Sequence, residues 1–92
     1  MRHSGIPFTI IDEVFNEFYG QFHYKLETKG KKPFNSILET YGKLSEEHYE
    51  TLIALHKKDK KEFESELMDV AITAIFGIMS LRQQAEEKKN VR

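Results

Sequence analysis

Apolar residues in this chain recur at three- and four-residue steps in three separate stretches, the signature of amphipathic helices. From Thr9 to about Glu27, residues Ile11, Val14, Phe15, Phe18, Phe22 and Leu26 fall on one stripe. The stretch KGKKPFNS (29 to 36) interrupts it with Gly30 and Pro33, and offers Asn35 or Ser36 as a helix cap with Glu39 placed as in a capping box. A second helix is expected from about Ile37 to Lys57, burying Ile37, Tyr41, Leu44, His48, Leu52 and Leu55. The polar run HKKDKK (56 to 61) reads as a tight connection around Asp59, after which Phe63, Leu67, Val70, Ala74, Ile78 and Leu81 restart the pattern. Between 70 and 79 this third helix is apolar nearly all round, more than a lone three-helix chain covers. The expected fold is therefore all-α, a bundle of about three helices per chain whose core is completed by oligomerisation. Residues 1 to 8 should form an irregular lead-in and the polar residues 85 to 92 a frayed tail, within a single domain spanning 1 to 92.

Composition narrows the chemistry. Fourteen Lys and Arg against fifteen Asp and Glu give a net charge of -1, which supplies no reason to expect nucleic acid or an anionic membrane surface as partner. The absence of cysteine excludes disulfides, thiolate catalysis and thiolate zinc sites, and is compatible with a reducing cytoplasm. The longest apolar run, VAITAIFGIM at 70 to 79, is about half of what a bilayer span needs. A soluble cytoplasmic protein is expected.

The acidic residues carry the one distinctive constellation. Glu47 and Glu50 share a face of the second helix, and Glu66 and Asp69 share a face of the third. Folding the helices antiparallel about Asp59 brings Glu50 nearly level with Glu66, and Glu47 level with Asp69 within about one turn, roughly 5 Å. Four converging carboxylates repel one another unless a cation sits among them. Oxygen-only ligands favour Mg2+, with Mn2+ as a substitute, and magnesium commonly takes substrate phosphate as a further ligand. Lys43, about a turn before Glu47, is placed to meet a phosphate. The small or polar stripe Thr73, Gly77, Ser80 and Gln84 continues the Asp69 face; it is read either as the floor of a cleft, with Thr73 and Ser80 touching ligand, or as a surface for close helix packing. His48, on the apolar side, reads as a core histidine.

EEHYE (46 to 50), a fifteen-residue spacer and ELMD (66 to 69) resemble the EExxE and ExxD motifs of the MazG family of all-α nucleoside triphosphate pyrophosphohydrolases, and DVAITAIFGI resembles the apolar run that follows them. The resemblance covers roughly residues 44 to 80. It implies a magnesium-dependent hydrolase that converts a (d)NTP to the monophosphate and pyrophosphate, working as a homodimer or homotetramer. Carried over by position, Glu47, Glu50, Glu66 and Asp69 would be metal ligands and Glu46 a supporting ligand or an acid that orients water. Tyr49 and Thr51 depart from the EExGEL form frequent in the family, and ETYGKL (39 to 44) offers a competing register with Thr40 and Lys43 in place of two acids. The alternative is a non-catalytic helical module of the same fold that binds a nucleotide or a protein.

Overall fold

The computed structural model describes residues 5–90, with side chains through Lys88. It is all-α: α1 (Phe8–Lys29), α2 (Ile37–Lys57) and α3 (Lys60–Asn90). The chain divides into two compact units, Met1–Lys31 and Lys32–Arg92. The first four residues of the expected lead-in and the last two of the expected tail lie outside the described residues.

In the first unit, Pro7 precedes α1, and its carbonyl accepts hydrogen bonds from Ile10 and Ile11 N–H at 3.1 and 3.2 Å. Proline suits this place because its missing N–H is one that a helix start leaves unused. Gly30 ends the helix at φ 92°, a left-handed backbone that costs glycine little, and its N–H returns to Leu26 O at 3.0 Å. Phe22 is buried and Ile11, Phe18 and Leu26 are half-buried, as the stripe predicts, whereas Val14 and Phe15 of that stripe are exposed.

The second unit is an antiparallel hairpin of α2 and α3. Ser36 caps α2: its Oγ accepts from Glu39 N–H at 3.0 Å, while Glu39 Oε1 accepts from Asn35 N–H at 2.7 Å. The box is thus closed one residue outside the cap, on Asn35. Lys58 adopts a left-handed conformation at φ 59° and donates its N–H to Leu55 O, ending α2. Asp59 then caps α3, its Oδ1 accepting from Glu62 N–H at 3.1 Å. Lys57 and Glu62 pair across this two-residue turn at 3.4 Å. Helix α3 continues to Asn90, through the polar stretch where fraying was expected, so the first part of that tail is helical.

Of the α2 stripe that the apolar pattern predicts as buried, Leu44 alone lies on the hairpin seam. Ile37, Tyr41 and Leu55 are exposed by 74%, 68% and 55%, and Leu52 and His48 are exposed too. The residues hidden on α2 are Thr51 and Ala54, with Thr40, Leu44 and Glu47 half-hidden; their spacing alternates between three and four residues along one line. Their counterparts on α3 are Gly77 and Ser80, with Glu66, Asp69 and Thr73 half-buried. Close approach decides this seam. A Cβ on Gly77 would come 2.6 Å from Thr40 Cγ2, so the helices meet where one of them has no side chain. By helical periodicity the buried Ile72 and half-buried Phe76 of α3 lie on one side of this seam, while Ile37, Tyr41, Leu52 and Leu55 of α2 and the predicted apolar stripe of α3 turn to the other. Of the stripe expected on α3, Phe63, Val70 and Ala74 are half-buried there, while Leu67, Ile78 and Leu81 are exposed.

A strap closes the open end of the hairpin. Phe34 N–H donates to Ser80 Oγ at 3.0 Å, Gln84 Nε2 donates to Phe34 O at 2.7 Å, and the Phe34 ring meets Phe76 edge-on at 5.0 Å. Both backbone groups of this loop residue are thereby satisfied by α3.

Candidate metal centre

Between the Asp59 turn and the Phe34 strap, the seam carries its acids. Helical spacing puts Glu47 on the same line of α2 as Thr40, Thr51 and Ala54, and puts Glu66 and Asp69 on the facing line of α3. One carboxylate oxygen from each of Glu47, Glu66 and Asp69 lies within 4.8 Å of the others, and all three residues are half-buried. Two full charges at that distance repel by about 3 kcal/mol at an effective dielectric of about 20, less where solvent reaches them.

Glu66 bears the strain. Its carboxyl is held above the ordinary carboxylate range first by burial, then by the charges of Asp69 and Glu50, a hydrogen bond with Glu50 and the charge of Glu47. Its Oε2 is buried and accepts no hydrogen bond. A buried carboxylate oxygen without a donor is costly unless a proton or a cation satisfies it.

Glu50 is exposed at the edge of the trio, close enough to Glu66 to perturb it. Glu46 is exposed and points to Lys43, whose Nζ lies 3.9 Å from its Oε2. Thr73 is half-buried on the seam. Ser80 is only 2% exposed, donates to Phe76 O at 2.9 Å and accepts from Phe34, so its hydroxyl is taken up by the strap. Of the two readings of the Thr73–Gly77–Ser80 stripe, close packing is the use the structure has for Gly77 and for the Ser80 hydroxyl. The competing ETYGKL register is also accounted for. Glu39 is engaged in capping and Thr40 packs on Gly77, with its Oγ1 donating to Ser36 O at 2.9 Å.

Among family models, curated proteins and solved structures, none matches this chain. The reading of the site therefore rests on its own chemistry. Thr51 is a residue that apolar periodicity does not single out: it is buried one turn beyond Glu47, and its hydroxyl donates to Glu47 O at 2.8 Å. Its four-residue spacing from Glu47 was the available signal.

The donor set fits a hard divalent cation. It is all carboxylate oxygen, contributed by two helices, and includes the buried, unmatched Oε2 of Glu66. No helix among the described residues is long and apolar enough to cross a membrane.

Proposed function

We propose that the chain is a magnesium-dependent nucleotide pyrophosphohydrolase, cleaving a (d)NTP to the monophosphate and pyrophosphate in the cytoplasm. The observation that carries this reading is the three-carboxylate cluster, one of whose members, Glu66, has a buried oxygen without a hydrogen-bond donor. The EEHYE and ELMD motifs supply the choice of reaction. Glu47, Glu66 and Asp69 would hold Mg2+, or Mn2+ in its place. Bound there, the cation would neutralise phosphate charge and make the α-phosphorus more open to attack.

The rest falls to the chain's own side chains. Glu50, exposed beside Glu66, is better placed than Glu46 to hold a water by hydrogen bond and accept its proton, because Glu46 is turned toward Lys43. That water would bond to the α-phosphorus as the bond to the bridging oxygen breaks and pyrophosphate leaves. Lys43, paired with a surface carboxylate, would exchange that partner for phosphate at little cost. The substrate would approach the edge of the seam, since the seam itself is filled by Thr40, Gly77 and Ser80. Assembly into a homodimer or homotetramer belongs to the same reading and would cover the exposed apolar side chains of α2 and α3.

The second reading, a cation-binding helical module without turnover, is favoured by the use of Gly77 and Ser80 for packing, which leaves α3 without a ready-made cleft floor. Product analysis separates the two. Purified protein with Mg2+ and a panel of NTPs and dNTPs should yield pyrophosphate and monophosphate, and the yield should vanish on chelation and in D69N. Cation binding by calorimetry with no product across the panel would replace the hydrolase with the binding module. Absence of cation binding would remove both.

A further inference from the structure

We draw no further inference here: the strongest candidate, the apolar side of the α2–α3 hairpin where Ile37, Tyr41, Leu52, Leu55, Ile78 and Leu81 stand exposed, carries nothing because nothing in the structure shows what covers it.

Discussion

Replacing Gly77 by alanine tests whether close approach, rather than apolar mass, sets the hairpin seam. The new Cβ would sit 2.6 Å from Thr40 Cγ2, about 1 Å inside the ordinary carbon–carbon contact of about 3.5 to 4.0 Å. Thr40 cannot turn aside freely, because its Oγ1 is bonded to Ser36 O at 2.9 Å and a β-branched side chain in a helix has few rotamers. Overpacking of this kind costs about 1 to 3 kcal/mol. Against it stands the helix propensity of alanine over glycine, a gain of about 1 kcal/mol. The single variant should therefore lose up to about 2 kcal/mol, a balance too narrow to be decisive alone.

A double-mutant cycle decides it. T40S removes the offending methyl and keeps the hydroxyl; the next Thr40 atom, Cβ, lies at 4.0 Å, an ordinary contact. In the T40S background G77A should stabilise the protein by about 1 kcal/mol, so the coupling between the two positions should be about 1 to 3 kcal/mol. Urea denaturation of the four proteins, followed by helical circular dichroism, measures it. A coupling below about 0.5 kcal/mol, within the usual additivity error, would refute the argument that this contact fixes the distance between α2 and α3. Should the helices separate instead of Thr40 rotating, Glu47 would move from Glu66 and Asp69, and G77A would also weaken cation binding.

The other predictions concern the acids and the caps. Because Glu66 is raised in the folded state, its favourable contribution to stability is complete below the ordinary carboxylate range and is lost as pH rises through its elevated value. Without added cation, E66Q should therefore gain on the wild type as pH goes from about 4 to 7, read from thermal melts at each pH; parallel curves would contradict the burial argument. Millimolar Mg2+ should raise the wild-type melting temperature at neutral pH and leave E66Q and D69N unmoved, as binding to the folded state alone requires. D59A should destabilise the hairpin by about 1 kcal/mol through loss of the α3 cap, measurable by urea denaturation. S80A should cost about 1 to 3 kcal/mol, since Phe34 N–H would lose its acceptor in a part-buried position, and hydrogen exchange at that amide should accelerate.

Local chemistry made much of this fold legible. The Ser36–Glu39 box, the bounds of α2 and the turn at Asp59 all follow from residues within a few positions of one another, and the expected levelling of Glu50 with Glu66 and of Glu47 with Asp69 follows from that turn. The choice of seam does not. Periodicity identifies Ile37, Tyr41, Leu52 and Leu55 as a stripe that avoids water, but it does not say which neighbour lies against it. Backbones approach most closely where side chains are smallest, and that placed Thr40 and Ala54, rather than Leu52 and Leu55, against α3, with Leu44 the one residue of the predicted stripe on that line. The strap was illegible for another reason: its bonds join Phe34 to Ser80 and Gln84 across 46 and 50 positions, with no pattern to announce them. Spacing placed Ser80 on the site's face; only the strap reveals that its hydroxyl is already used.

The two-residue turn at Lys58 and Asp59 makes the distance between the acid pairs a quantised quantity. With no slack in the connection, one residue inserted into either arm would swing everything beyond it by about 100° around its helix. Glu47 would then face a flank of α3 instead of Glu66 and Asp69. Lengthening tolerated by the site must come as matched heptads, about seven residues in each arm, which return both faces to the seam. Chain length between EEHYE and ELMD thus behaves like the teeth of a gear, meshing at some values and idle between them.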